Sequence, residues 1–252
     1  MENRSLYYSQ NALSTYTSCQ LKFRRRYLDA LYWPRPITEQ LELGQNFHIL
    51  CQRYFASGQC SCEGQLREWM DLIARFRPPD TGQLFLPEQE LRYKDDGLQL
   101  IAKYDLLVLP DTERVFVYDW KTEERQNTKS YLEKTFQTCI YRFLMARAGS
   151  LYWGREIKPS DIVMVYWNPR FPESPVLLAY SEKQYRRDED RLRQIISGIE
   201  AKDRNSFWPT TEEKVCRVCE YAPLCEKDTT ATPNYQEEED ISLSWDDIED
   251  IQ

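Results

Sequence analysis

The chain has 252 residues, with 41 acidic and 33 basic side chains and a net charge of −8. No apolar run has the length of a membrane span, and the N-terminus lacks the apolar region of a secretory signal, so we expect a cytoplasmic protein without a membrane partner. Residues 228–252 contain nine acidic residues and no Lys or Arg, which leaves 33 basic and 32 acidic residues in 1–227. We therefore expect a near-neutral domain over 1–227, followed by an acidic, flexible tail over 228–252.

The first predicted helix covers residues 11–31, with Ser14 as a plausible N-cap. It carries a basic cluster of Lys22, Arg24, Arg25 and Arg26. Such a cluster is more often a solvated helix face than a binding surface, but it lies just after Cys19 and could guide a phosphate backbone.

Two further helices are predicted over residues 38–57 and 63–77. The first of them places Gly44 and His48 on one face, because residues four apart are neighbours on a helix surface. His48 is the only histidine of the chain. A single histidine is more often structural than a metal ligand, so its role depends on what lies near it.

Residues 86–94 and 98–109 read as two strands joined by a tight Asp-Asp-Gly turn, with Glu90 in the first and Asp105 in the second. The next strand ends in Asp119-Trp120-Lys121. Residues two apart on a strand share a face, so Asp119 and Lys121 point the same way and Asp105 can reach them from the adjacent strand. Two carboxylates and one ammonium at a sheet edge suit metal-assisted cleavage of phosphodiesters.

The second half of the chain alternates helices with strands. Helices are predicted over residues 131–148 and 182–201, and strands over 161–167 and 175–180. Gln137 and Tyr141 lie four apart on the first of these helices and share a face. The pattern predicts an α/β fold with a small mixed central sheet flanked by helices.

The cysteines near the C-terminus have a spacing that is typical of metal ligands. Cys216, Cys219 and Cys225 are separated by two and then five residues. Three thiolates need a fourth ligand, and Cys19 is a candidate despite its distance in sequence. The set is compatible with a zinc ion or an iron–sulfur cluster, and either would join the two ends of the domain.

The order of these motifs resembles the PD-(D/E)XK nuclease superfamily, specifically its RecB-like branch with a 4Fe–4S cluster. CRISPR-associated RecB-like exonucleases and AddB-type nuclease domains are the relatives that it suggests. The resemblance spans residues 14–225 and implies a restriction-endonuclease-like core with an iron–sulfur subdomain that joins the N- and C-terminal segments. One departure is Ala102, where the family commonly has glycine three residues before the central aspartate.

The resemblance implies a role for each motif residue. The implied metal ligands are His48, Asp105 and Asp119, which would hold Mg or Mn. The implied catalytic residues are Asp105, Asp119, Lys121, Gln137 and Tyr141, together with Glu90, whose role is the least defined. The implied ligands of the 4Fe–4S cluster are Cys19, Cys216, Cys219 and Cys225.

Three functions follow as hypotheses. The first is a metal-dependent DNA nuclease that acts on single strands or DNA ends in repair, recombination or CRISPR adaptation. The second is a catalytically silent DNA-binding or assembly subunit that keeps the fold. The third is a four-cysteine zinc protein in which the Asp-x-Lys element is coincidental. The acidic tail either binds a protein partner, occupies a DNA-binding groove or only keeps the protein in solution.

Overall fold

The computed structural model describes residues 6–32, 37–77, 83–110 and 114–225. Its helices are α1 Gln10–Ser18, α2 Gln20–Phe23, α3 Glu39–Ser57, α4 Gly64–Phe76, α5 Lys129–Leu132, α6 Phe136–Trp153, α7 Glu182–Glu200 and α8 Glu213–Arg217. Its strands are β1 Gln83–Asp95, β2 Leu98–Pro110, β3 Val115–Trp120, β4 Ile162–Trp167 and β5 Val176–Ala179.

The five strands form one mixed sheet in the order β1-β2-β3-β4-β5. Strands β3 and β4 are parallel, and the other neighbouring pairs are antiparallel. Helix α6 lies between β3 and β4 in the chain, as a parallel connection requires. The predicted α/β class and the mixed sheet are therefore confirmed.

Apolar side chains from the two faces of the sheet form two separate cores. Helices α1, α6 and α7 contribute to one core, in which Leu13, Phe143 and Ile196 are fully buried. Helices α3 and α4 contribute to the other, in which Phe47, Ile73 and Trp167 are buried. The molecule thus has three layers, with the sheet in the middle, and the strand ends are the places where a polar site can form.

The N-terminal helix differs from its prediction. Helix α1 begins at Gln10, one residue before the predicted start, and Ser9 rather than Ser14 caps it by accepting a hydrogen bond from the Ala12 N–H at 3.2 Å. Cys19 is extended, with φ −155°, and ends the helix. The chain then resumes as α2 and a π-helical turn over Arg24–Leu28. Residues 11–31 are therefore not one helix, and the break falls at Cys19.

The regular alternation of β2 is interrupted at Asp105. Leu100, Ala102 and Tyr104 face the core of α6, and so does Leu107, although an even alternation would turn Leu107 to the opposite face. On β1 the residue opposite Asp105 is Glu88, which has a positive φ of 53°. Both strands thus change the face that they present at the same level of the sheet. This interruption frees Asp105 and Glu88 from the apolar cores.

The β1–β2 hairpin is held to α7 through Asp95. Its carboxylate accepts hydrogen bonds from the Leu98 N–H at 2.9 Å, from Tyr93 Oη at 3.0 Å and from Arg193 Nη2 at 2.9 Å. Burial alone would raise the pKa of Asp95, but these donors outweigh it and hold the pKa below the ordinary value of 3.8. The ionised carboxylate therefore stabilises the folded state.

Asp95→Asn is expected to lower the free energy of unfolding at pH 7 by about 1 kcal/mol, because charge-assisted hydrogen bonds are lost. Since the pKa is depressed on folding, the difference is fully present above pH 3.8 and shrinks as the pH falls below it. Urea unfolding at pH 7 and pH 3 measures both values. Asp71→Asn, at an exposed ion pair on α4, is the control. A pH-independent loss, or an equal loss in the control, would contradict this role.

No helix in the described part of the chain has the length and apolarity needed to span a membrane. The predicted acidic tail and residues 111–113 lie outside the described residues.

Candidate active site

The site forms where β2 and β3 separate. The two strands pair only through Leu106–Val108 and Phe116–Tyr118. Beyond this point the N–H of Trp120 has no partner on β2 in the ladder. Asp105 supplies one, because its Oδ2 accepts a hydrogen bond from that N–H at 2.6 Å. The carboxylate of Asp105 is thereby fixed at the point where β2 and β3 separate, which we call the β2–β3 fork.

His48, Glu88 and Asp105 converge beside this fork and form the candidate metal site. One ligand atom from each lies within 4.8 Å of the others. His48 Nδ1 is 3.3 Å from Asp105 Oδ1, and Glu88 Oε2 is 3.1 Å from Lys103 Nζ. Two carboxylates with one imidazole form a donor set that suits Mg²⁺ or Mn²⁺, and the imidazole favours Mn²⁺. The residues therefore fit a divalent cation.

The charges of this group also favour a cation. Burial and the neighbouring charge of Asp105 raise the pKa of Glu88 to about 7. Burial lowers the pKa of His48, but Asp105 outweighs it and raises the value above 6.5. Burial raises the pKa of Asp105, yet the hydrogen bonds from His48 and Trp120 keep it below 3.8. Two carboxylates held this close repel each other, and a divalent cation between them would relieve that repulsion.

Asp119, Lys121 and Gln137 form a second group at the end of β3. Lys121 Nζ lies 2.8 Å from Asp119 Oδ1 and donates to Gln137 Oε1 at 2.8 Å. Gln137 Nε2 donates to the other carboxylate oxygen, Asp119 Oδ2, at 2.5 Å. All three side chains are buried. The lysine and the carboxylate are thus held in a fixed orientation by an amide from α6.

Burial raises the pKa of Asp119 to about 7, although Lys121 opposes the rise. Burial would lower the pKa of Lys121, but the carboxylates of Asp119 and Glu123 outweigh it and hold the value above its ordinary range. Lys121 is consequently a cation at neutral pH. Its charge is available to stabilise negative charge that develops nearby, rather than to accept a proton.

Two of the predicted site residues lie elsewhere. Glu90 is exposed and pairs with Arg92 at 2.6 Å, whereas Glu88 joins His48 and Asp105. An unbroken strand would have turned both glutamates to one face, and the positive φ of Glu88 prevents this. Pro87 inside the predicted strand was the available signal of an irregular edge. Tyr141 is buried, with its ring centroid 4.9 Å from that of Tyr104.

Glu88→Gln is expected to weaken Mn²⁺ binding by more than about tenfold, because it removes one anionic ligand, and even outer-shell changes cost roughly 10–100-fold. Glu90→Gln, two residues away on the same strand, is the matched control and should leave the affinity unchanged. Calorimetric titration with Mn²⁺ alone measures both. Equal effects of the two substitutions would contradict the assignment of Glu88.

The structure brings the N-terminal Cys19 and the C-terminal cysteine segment, residues 216–225, together. Lys22 Nζ lies 2.9 Å from the buried Glu220, and Tyr221 Oη donates to the carbonyl of Leu31. Burial raises the pKa of Cys219 to about 11, and the nearby Cys19 contributes to that rise. All eight cysteines are free thiols. The two ends of the domain therefore meet beside these cysteines, and the role of Cys19, Cys216, Cys219 and Cys225 as ligands stays a prediction.

The basic cluster after Cys19 is occupied by contacts within the protein. Arg25 donates to the carbonyls of Tyr221 and Leu224, while Arg24 Nε lies 3.2 Å from Asp29. Arg26 lies 4.0 Å from Glu220. Arg25 and Arg26 thus hold the C-terminal cysteine segment in place, whereas Arg24 pairs within its own region of the chain. Contact of the cluster with DNA stays a prediction.

Comparisons with known proteins agree with this geometry. A solved structure described as a "Putative exonuclease" from Eubacterium rectale has a similar fold, with a TM-score of 0.56 over 94% of each chain at 7% sequence identity. No match was found among curated proteins. The family model of the PD-(D/E)XK nuclease superfamily matches residues 7–83 and 63–226, which together span most of the sequence. The chain that carries this site belongs to the PD-(D/E)XK nuclease superfamily.

Proposed function

We propose that this protein is a metal-dependent DNA nuclease of the RecB-like branch, an exonuclease that acts on single strands or DNA ends. One observation carries the proposal: the His48–Glu88–Asp105 group and the Asp119–Lys121–Gln137 group meet where β2 and β3 separate, because the register that pairs Leu106 with Tyr118 places Asp105 beside Asp119. The first offers ligands for a divalent cation, and the second offers a buried cation for developing negative charge. DNA repair, recombination and CRISPR adaptation are the processes that this activity would serve.

In this proposal His48, Asp105 and Asp119 hold Mg²⁺ or Mn²⁺, as the resemblance implies, and Glu88 joins them as a further ligand. The bound metal would polarise the scissile phosphate and lower the pKa of a water molecule. The other roles belong to the protein. The N–H of Trp120 orients Asp105, and Gln137 orients both Asp119 and Lys121. Lys121 stabilises the charge of the phosphate in the transition state.

The test uses anaerobically purified protein with end-labelled single-stranded DNA, blunt duplex DNA and a closed circular single strand. We expect Mn²⁺ or Mg²⁺ to support degradation of the linear substrates, EDTA to abolish it, and the circle to survive. Labels at the 5′ and 3′ ends give the polarity from the product ladder. Cleavage of the circle would replace the exonuclease with an endonuclease.

The second candidate is a catalytically silent DNA-binding or assembly subunit. The complete Asp119–Lys121–Gln137 arrangement favours the enzyme, because a silent subunit gains nothing from a buried lysine held against a buried carboxylate. DNA binding without cleavage at any metal concentration would support the silent subunit.

We further propose that Cys19, Cys216, Cys219 and Cys225 hold a 4Fe–4S cluster. The contacts between the C-terminal cysteine segment and the chain around Cys19 support a shared centre. The alternative is a zinc ion on the same four thiolates, and the colour and metal content of the purified protein distinguish the two.

The acidic tail over residues 228–252 is proposed to bind a protein partner or to compete with DNA. Deleting the tail distinguishes these two roles, because only competition with DNA predicts that the shortened protein binds DNA more tightly. We place the reaction in the cytoplasm, where thiols remain reduced.

A further inference from the structure

The backbone that follows Lys121 is held by three side chains from separate parts of the chain. The carbonyl of Thr122 accepts hydrogen bonds from Gln40 Nε2 at 3.2 Å and from Arg170 Nε at 3.0 Å. The next carbonyl, that of Glu123, accepts one from Asn168 Nδ2 at 2.9 Å. We refer to Gln40, Asn168 and Arg170 as the Thr122 clamp. Outside regular structure, a backbone carbonyl with two side-chain donors is strongly restrained.

The clamp is itself rigidly held. The guanidinium of Arg170 lies over the ring of Trp69, 5.2 Å from its centroid, and the Arg170 N–H donates to Asn168 Oδ1 at 2.8 Å. Asn168 directly follows β4, whose last residue accepts a hydrogen bond from the Lys121 N–H at 2.8 Å. The end of β3 is thus fixed both by the sheet and by the clamp.

Helix α3 contacts the same segment along one stripe. Gln40, Gly44 and His48 are spaced by four residues and therefore lie on one face of the helix. At Gly44 a Cβ atom would lie 2.8 Å from Thr122 Oγ1, so the helix approaches the segment as closely as glycine allows. His48, one turn further, reaches Asp105. One stripe of α3 thus contacts the segment after Lys121 at one end and the metal site at the other.

We propose that Gln40, Asn168 and Arg170 are positioning residues: Gln40 joins α3 to the segment after Lys121, Asn168 and Arg170 fix that segment to the end of β4, and together they fix His48 relative to Lys121. The expected effect on kcat rests on the proposed nuclease function, whereas the expected effect on Mn²⁺ affinity does not. Without the clamp, α3 would be joined to the sheet by its apolar contacts and by the contact of His48 with Asp105. These contacts leave freedom for small sliding movements, to which metal and transition-state geometry are sensitive.

The experiment compares Gln40→Glu, Arg170→Met and the double variant with the parent protein. Glutamate keeps the shape of glutamine but removes the N–H donor, and methionine keeps much of the arginine stem. Gln126→Glu is the matched control, because Gln126 also donates to a loop carbonyl, that of Ser174, at 3.2 Å. The measurements are Mn²⁺ affinity by calorimetry, kcat and KM on end-labelled DNA, and the melting temperature.

Each single variant is expected to lower kcat and Mn²⁺ affinity by roughly 3- to 10-fold, the effect of one lost hydrogen bond, with KM within about twofold. The double variant should lose more than the product of the two, because both donors serve one carbonyl. Arg170→Lys should recover part of the loss by restoring a donor. Gln126→Glu should match the parent.

If the double variant has the Mn²⁺ affinity and kcat of the parent, the positioning role of the clamp is wrong, and the proposed nuclease function is unaffected. An equal loss in Gln126→Glu would overturn it as well. If the parent binds Mn²⁺ but cleaves no DNA, the proposed function fails, and the Mn²⁺ affinities of the variants still decide on the clamp. If the double variant is unfolded at the assay temperature, the two single variants decide.

Discussion

Lys121→Met is expected to lower kcat for DNA hydrolysis by at least about 100-fold, the scale seen when one preorganised donor is removed from a transition state. Lys121 is buried, paired with Asp119 and held by Gln137, so its charge is fixed before substrate arrives. A residue that acts only in the transition state changes kcat rather than KM. The expected result is therefore a large fall in kcat with DNA affinity close to that of the parent.

Lys183→Met is the matched control, because Lys183 is an exposed lysine on α7. The measurement is the rate of release of labelled nucleotides under single-turnover conditions, with DNA binding followed separately. Methionine leaves Asp119 without its cation, so the melting temperature of each variant is recorded as well. A folded Lys121→Met variant that degrades DNA at the rate of Lys183→Met would contradict the proposed active site.

If the proposed 4Fe–4S cluster is present, Cys219→Ser is expected to abolish the brown colour of anaerobically purified protein and to reduce its iron content from about four atoms per chain to nearly none. Cys219 lies in the C-terminal cysteine segment, next to Glu220, which pairs with Lys22. Without the proposed cluster, this ion pair and the hydrogen bonds of Arg25 and Tyr221 would hold the segment. Because metal binding and folding are coupled, the melting temperature should fall by more than about 5 °C.

Cys62→Ser is the control for this substitution, because Cys62 is a partly buried free thiol in the connection between α3 and α4. Metal analysis and visible absorption are read on both variants. Stoichiometric zinc and a colourless parent protein would contradict the cluster and support the zinc alternative. A brown Cys219→Ser variant with unchanged iron would exclude Cys219 as a ligand.

The pairing of Asp119 with Lys121 could be predicted from sequence because it depends only on the two-residue period of a strand. The assignment of Glu90 came from the family resemblance, and the structure places this residue on the surface beside Arg92. The two-residue period does not extend to Glu88 and Glu90, because the positive φ of Glu88 interrupts it. The predicted contact of Asp105 with this strand end took an unexpected form, a hydrogen bond to the N–H of Trp120. A periodic sequence pattern predicts the direction of side chains only where the backbone is regular.

The same limit applies at the N-terminus. Apolar periodicity continued through Cys19 and predicted one helix over residues 11–31, whereas the extended conformation of Cys19 divides it. The arginines after this break contact a segment about 200 positions later in the chain, with Arg25 bonded to Tyr221 and Leu224. No local pattern encodes such a contact. The one signal in the sequence that linked the two ends was the need of the three C-terminal cysteines for a fourth ligand, for which Cys19 was a candidate.

Asp105 combines two roles that other site residues keep separate. It offers an oxygen to the candidate metal site, and it also closes the β2–β3 fork by accepting the Trp120 N–H. The side chain of Lys121 contacts the side chains of Asp119 and Gln137 rather than the backbone of the sheet. Descendants of such a protein that abandon catalysis should consequently lose Lys121 and the charge of Asp119 together, while retaining a hydrogen-bond acceptor at position 105. In this lineage, an aspartate that persists at position 105 is evidence of an intact sheet rather than of a working enzyme.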